Sequence, residues 1–368
     1  MSCEGTESLS ESGTHGIPAV THRGGAPLNM KEFRIKKNEA GQRFDKYLVK
    51  LLPGAPKSFL YRMLRKKNIV LNGGKAHGPE IVREGDFVRL FLADETFEKF
   101  SGQPNTGTPF SPENERILAS AKPVFESPVY ADEEIMLINK PRGILSQKAG
   151  ADDVSLNECL IRFWMESEAG AGEDIQTFRP AVMNRLDRNT TGIVLCGLSL
   201  PGEQFLAEIL RDRSAKKLYR TLVFGCPEDG VFAAWHRSSG KDGLVRISDE
   251  PVGEASPIRT GIRTIECRDG MAYLEIDLLT GKKHQIRAHL AHLGFPVAGD
   301  EKYGSGEKNR ELRKRFGLRS QFLHAYGFSF PEKIEGRFAY LAGRSFTAPL
   351  PEFFGRILRE LGFAREVK

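Results

Sequence analysis

The chain has 368 residues, 40% of them apolar, enough to bury at least one full core and long enough to suggest two or three domains. Lys and Arg number 54 against 48 Asp and Glu, a net charge of +6 that suits a polyanionic partner without requiring one. This composition excludes disorder throughout, and no run is apolar and long enough for a signal peptide or a membrane span, so a soluble cytoplasmic protein is expected.

Residues 1–30 mix Ser, Gly, Thr and Pro with few large apolar side chains and read as a flexible tail, because little burial is available to offset the entropy of ordering. From Glu32 the pattern changes. Phe44, Tyr47, Leu48 and Leu51 recur at helical spacing, and after Pro53-Gly54 a second helix carries Leu60, Met63 and Leu64. Its surface is basic, with Lys57, Arg62, Arg65, Lys66 and Lys67. Ile69-Val70-Leu71 then meets Asn72-Gly73, a tight-turn signal, and Gly85-Asp86 precedes a second strand from Phe87 to Phe91. Residues 94–122 contain Gly102, Pro104, Gly107, Pro109 and Pro112 with few apolar anchors and read as a linker.

A larger domain is expected over 123–368. Strand-like runs such as Ile135-Met136-Leu137-Ile138, Ile193-Val194-Leu195-Cys196, 218–224 and 273–279 are interspersed with helical patterns at 156–165, 203–211 and 284–293. Crossover helices do not separate the strands regularly, so the expectation is an α+β fold with a mixed or antiparallel sheet. The five cysteines, Cys3, Cys159, Cys196, Cys226 and Cys267, are scattered, form no Cys-x-x-Cys clip, and are read as reduced thiols. His289 and His292 share a helix face near His284, but no acidic residue completes a ligand set, so no metal is expected.

The segment Asn184-Arg185-Leu186-Asp187-Arg188-Asn189-Thr190-Thr191-Gly192 lies between two apolar stretches, which places a carboxylate on a loop held by strands. Taken alone, such an Asp fits a turn or a salt bridge better than a catalyst. Other blocks accompany it in order: Ile138-Asn139-Lys140-Pro141-x-Gly143, Lys217-x-Tyr219, Thr280-Gly281-Lys282-Lys283-His284-Gln285-Ile286-Arg287-x-His289-Leu290, Gly299-Asp300-x-x-Tyr303-Gly304 and Leu323-His324-Ala325. Together they resemble the RluA-type pseudouridine synthases of ribosomal and transfer RNA. Residues 31–93, with Arg43-Phe44-Asp45-Lys46-Tyr47-Leu48, the basic second helix and Val70-Leu71-Asn72-Gly73, resemble an S4 RNA-binding domain. Two departures stand out: Asn184 where the family usually has His, and Lys282 where it usually has Arg.

The resemblance implies a small S4-like αα-ββ domain followed by a mixed or antiparallel-sheet catalytic domain. It implies an isomerase that turns uridine into pseudouridine without a cofactor, with Asp187 as the catalytic carboxylate, Arg287 as its charge partner and Tyr219 stacking on the target base. Arg185 would fill the gap left by the extruded nucleotide, and Arg43, Lys57, Arg62, Arg65, Lys66 and Lys67 would supply RNA-backbone contacts. Large-subunit ribosomal RNA is the favoured substrate and a monomer the expected state. Transfer RNA, or a non-catalytic role in ribosome assembly, are the alternatives.

Overall fold

The computed structural model describes residues 29–101, 111–150, 153–167, 177–238 and 243–363. They fall into two units, one holding 29–36 and 42–101, the other 37–41 and the described residues from 111 onward. Most of the expected N-terminal tail, residues 1–28, lies outside the described residues.

In the first unit, β1 (Asn29–Arg34) precedes α1 (Phe44–Leu51) and α2 (Lys57–Arg65), which bury Phe44, Tyr47, Leu48 and Leu51, and Leu60, Met63 and Leu64 respectively. The apolar spacing thus becomes two amphipathic helices facing one core. β2 (Ile69–Leu71), β3 (Gly74–Lys75) and β4 (Phe87–Leu92) join β1 in a four-stranded antiparallel sheet of order β1-β4-β2-β3, so the two expected strands gain two partners. Residues 94–101 form α3 (Asp94–Ser101) rather than linker.

The other helical part of the expected linker belongs to the second unit. In α4 (Pro112–Glu126), Ser111 accepts from the Asn114 amide as N-cap, Pro112 suits the first turn, and Leu118, Ala121 and Phe125 are buried at helical spacing. Those three anchors are too widely spaced to stand out among the neighbouring prolines. There follow β5 (Tyr130–Ala131), β6 (Ile135–Lys140), α5 (Leu156–Glu166), β7 (Ala181–Val182), β8 (Thr191–Gly197) and α6 (Leu200–Arg211). Then come β9 (Lys216–Phe224), β10 (Gly230–Ser238), β11 (Val245–Ser248), β12 (Ser256–Arg268), β13 (Met271–Asp277), α7 (Gln285–His292) and α8 (Gly306–Phe316). β14 (Leu323–Ser329), β15 (Ser345–Thr347) and α9 (Glu352–Glu360) complete the order.

The strands described form one mixed sheet, β11-β10-β12-β13-β9-β14-β8-β6-β5, with β15 on β14 and β7 on β8. Among the described strands, only β14 and β8 pair in parallel. Side chains alternate between two cores. Ile138, Val194 and Val223 join Leu118, Leu160 and Ile286 of α4, α5 and α7 on one face. Ile135, Leu137, Ile193 and Leu195 meet α6 on the other, where Leu222, Tyr273 and Phe322 also meet α8 and α9. Helices on both faces explain why the central strands read as continuous apolar runs.

Gly192, at the start of β8, has φ +111° and lies so close to β14 that a Cβ there would be 2.2 Å from the Ala325 carbonyl oxygen. A glycine is therefore required for β14 to seat beside the Asp187 loop.

One expectation fails. Cys226 and Cys267 are joined by a disulfide, with Cα atoms 5.9 Å apart. Antiparallel pairing of β9 with β13 and β13 with β12 brings together two residues 41 positions apart, a neighbourhood that spacing alone did not reveal. Cys159 and Cys196 are buried free thiols, and burial pushes the Cys159 thiol up to about 12.

Candidate active site

Asp187 sits in the turn between β7 and β8, its side chain 26% exposed. The turn is pinned on both sides. Ser146 Oγ accepts from the Leu186 amide and donates to the Leu186 carbonyl, each at 3.0 Å, and the Thr190 amide closes onto the Asp187 carbonyl at 3.0 Å. Beneath it, the fully buried Lys140 Nζ donates to the carbonyls of Pro141, Arg188 and Thr190 at 3.0, 3.0 and 2.9 Å. Burial pushes this ammonium down to about 7, against the attraction of Asp187. Its three donors match three carbonyls, and a neutral amine would leave one of them unsatisfied.

Arg287 reaches this turn from α7. Its Nη1 donates to Asp187 Oδ2 at 2.7 Å, while Nε and Nη2 donate to Asp300 Oδ2 and Oδ1 at 2.6 and 2.9 Å. Arg287 is buried, and Asp300 is fully buried. Burial works against the guanidinium charge, but the hydrogen bond and charge of Asp300, then those of Asp187, outweigh it and bind its proton more firmly than usual. Asp300 is itself held, since Oδ1 also accepts the amides of Lys302 at 2.9 Å and Tyr303 at 3.2 Å. The result is a carboxylate, guanidinium, carboxylate chain with one end sealed and the other open.

His284 Nε2 lies 3.7 Å from Asp187 Oδ1, and its Nδ1 is 2.9 Å from the Tyr303 hydroxyl, which also accepts the Val245 amide at 3.0 Å. Burial lowers the His284 pKa, opposed by Asp187 and reinforced by Arg287, Lys302 and Lys283, so the ring favours its neutral form. His284 stands at φ +54°, the left-handed residue from which α7 starts. Tyr219, on β9, is buried in the core next to this group, and burial together with the Asp187 charge raises its pKa, which keeps the phenol protonated.

Asp187, Arg287 and Tyr219 thus converge, and the exposed Arg185 lies two residues from the carboxylate. His284, Asp300, Tyr303 and Lys140 were not assigned to the site from sequence, although all four stand in the motif blocks quoted above. Asn184 points its amide at the sheet, accepting from the Leu195 amide at 2.7 Å and donating to the Ile193 carbonyl at 3.4 Å. His289 and His292 go separate ways, to Thr260 Oγ1 and Asp249 Oδ1.

In the first unit, Lys57, Arg62, Arg65, Lys66 and Lys67 are exposed, and Arg62 stacks over Phe59. Arg43 is committed instead to Asp45, through Nε at 3.0 Å and Nη2 at 2.8 Å, and Tyr61 donates to the same carboxylate. No group of three or more potential metal-ligating side chains occurs among the described residues, and no described helix is long and apolar enough to cross a membrane.

Residues 134–292, which hold Asp187, Tyr219 and Arg287, match the family described as RNA pseudouridylate synthase. The chain is 29% identical over 351 residues to the ribosomal large subunit pseudouridine synthase C of Escherichia coli strain K12, covering 92% of this chain and 98% of that protein. It is 29% identical over 345 residues to the enzyme of the same name from Haemophilus ducreyi, covering 90% and 96%. To the ribosomal large subunit pseudouridine synthase D of Neisseria meningitidis it is 28% identical over 331 residues, covering 88% and 79%. The solved structure of human RNA pseudouridylate synthase domain containing 4 superimposes with a TM-score of 0.54 at 21% identity, over 67% of this chain and 97% of that one, a likeness of fold.

Proposed function

We propose that this chain is an RNA pseudouridine synthase of the RluA type, an isomerase acting on large-subunit ribosomal RNA, with Asp187 as its catalytic carboxylate. The observation that carries the assignment is the Arg287 bridge. Asp187 Oδ2 accepts from Arg287 Nη1, Oδ1 lies 3.7 Å from His284 Nε2, and the side chain remains 26% exposed, so one oxygen is held while the carboxylate stays accessible. A placed, ionised carboxylate is what either route to pseudouridine needs, whether attack on C1′ or removal of the C2′ proton before the uracil turns and rejoins through C5.

Tyr219, kept protonated by burial beside Asp187, is suited to packing against the uracil and to donating or relaying a proton as a neutral phenol. Arg185 is exposed next to the carboxylate and can occupy the space of the extruded nucleotide. The first unit acts as an S4-like RNA-binding module through Lys57, Arg62, Arg65, Lys66 and Lys67. Arg43, half exposed and paired with Asp45, would add to these contacts at the start of α1. The enzyme would work in the cytoplasm, as a monomer and without a cofactor.

The test is to incubate the wild type and Asp187→Asn with transcripts of large-subunit ribosomal RNA carrying tritium at uridine C5. Tritium release by the wild type only is expected, without free uracil. Equal release from the two proteins would remove Asp187 from the chemistry, and free uracil would mark a glycosylase instead.

A further inference from the structure

We infer that α8 carries a second RNA-backbone contact surface on the catalytic unit itself, a phosphate track that continues the basic rim of the Asp187 site. The inference rests on the reading of the chain as an RNA pseudouridine synthase, and it adds a binding surface outside the S4-like module. Residues 300–319 hold seven Lys and Arg against four Asp and Glu, half of the chain's net +6 in twenty residues. One face of α8 is accounted for by packing, with Leu312 and Phe316 buried against α9. The opposite face presents Arg310 and Lys314, one helical turn apart, and Arg319 follows just beyond the helix.

These three cations are exposed and have no ion-pair or ring partner among the described residues. The other cations of α8 do have one. Arg313 pairs with Glu301, Lys308 lies over Phe224, and Arg315 over Phe316. The helices on the other face of the sheet are balanced differently: Lys122 of α4 lies between Glu126 and Glu166, and Arg162 of α5 between Glu115 and Glu166. A helix face of unpaired cations is a poor stability device, because it gains nothing from pairing and suffers self-repulsion. It is well suited to a polyanion, whose condensed counterions it releases on binding.

The track is fixed to the site. Asn309 accepts the Gly299 amide and donates to the Asp300 carbonyl, both at 2.8 Å, so the first turn of α8 is tied to the residue that holds Arg287 on Asp187. Lys314 stands roughly 8 Å further along the helix axis from Asn309. Two further exposed cations, Lys302 and Lys283, stand near His284 and so add positive charge beside the Asp187 turn. Backbone phosphates flanking the reacting uridine are the occupant this arrangement fits: such contacts set register and orientation without reading sequence.

The test measures binding of a fluorescein-labelled large-subunit ribosomal RNA fragment, by anisotropy over a series of KCl concentrations. The proteins are the full-length wild type, the triple variant Arg310→Gln, Lys314→Gln, Arg319→Gln, and a charge-matched control, Arg116→Gln and Lys122→Gln on α4 with Arg211→Gln on α6. The α8 variant is expected to lower the slope of log Kd against log salt by about 2, since each lost phosphate contact removes roughly 0.7–0.9. Its Kd at about 0.1 M KCl should rise on the order of tenfold or more, with the control close to wild type. A slope unchanged in the α8 variant, or lowered equally by the control, overturns the assignment. Tritium release from C5 by the wild type on the same RNA is scored separately, so a failed slope with intact release rejects only the track, and absent release rejects the proposed function.

Discussion

Replacing Arg287 by Met removes the bridge between Asp187 and Asp300 while keeping much of the side-chain volume, and the two carboxylates left behind fare differently. Asp187 is 26% exposed and can recover its lost bond from water. Asp300 is fully buried and loses two charge-assisted bonds of 2.6 and 2.9 Å, retaining only the amides of Lys302 and Tyr303. Orphaning one member of a buried pair costs about 3–5 kcal/mol, against about 1–2 kcal/mol for Asp187→Asn, which gives up one bond at a partly exposed group. At about 2–4 °C per kcal/mol for a domain of this size, Arg287→Met should melt on the order of 10 °C below wild type, and Asp187→Asn within a few degrees of it. Adding Asp300→Asn to Arg287→Met removes the orphan charge and should recover part of the loss in melting temperature without restoring C5 tritium release. Thermal unfolding followed by circular dichroism decides this. Melting of Arg287→Met within about 2 °C of wild type, or no recovery in the double variant, would refute the reasoning.

Two further outcomes follow from other parts of the fold. Gly192→Ala would drive a Cβ against the Ala325 backbone at a φ that L-residues rarely adopt, so a loss of about 3–5 kcal/mol and of C5 release is expected; wild-type melting would show that β14 does not approach Gly192 so closely. His289 and His324 are fully buried, and burial lowers each to about 4 from 6.5. Because the folded values are depressed, the unfolded chain takes up these protons first. Stability is therefore complete above pH 6.5 and declines through the window down to about pH 4, by up to about 3 kcal/mol for each ring. Urea midpoints for the wild type and His324→Gln across that window measure it, and equal pH dependence would discount His324.

The sequence made the central strands and the paired helices α1 and α2 legible because their apolar spacing is strict and repeated. It left β10 to β12 and the C-terminal elements unread: these alternate mixed polar and apolar side chains, as in Arg259, Thr260, Gly261 and Ile262, so the turn signals beside them, Asp229-Gly230 and Asp269-Gly270, had no clear apolar run to delimit. Asp187 could be found only through its company, since its own loop has the composition of an ordinary turn. Asp300 escaped for a physical reason. A buried carboxylate is recognised by the cation that neutralises it, and the thirteen positions that separate Arg287 from Asp300 conceal that pairing. Cys226 and Cys267 were hidden in the same way by two intervening strand pairings.

β14 is the last long strand of the chain, yet it lies in the interior of the sheet, between β9 and β8. The strands before it can form two separate ribbons, one carrying the Asp187 turn and the other Tyr219 and the approach to α7. They have no shared strand neighbour until β14 is inserted between them. Completion of the sheet therefore requires residues 323–329, in a topology whose contacts there span more than a hundred positions. A chain ending before residue 323 would keep every residue of the candidate site and still lack the strand that joins the ribbon of Asp187 to that of Tyr219.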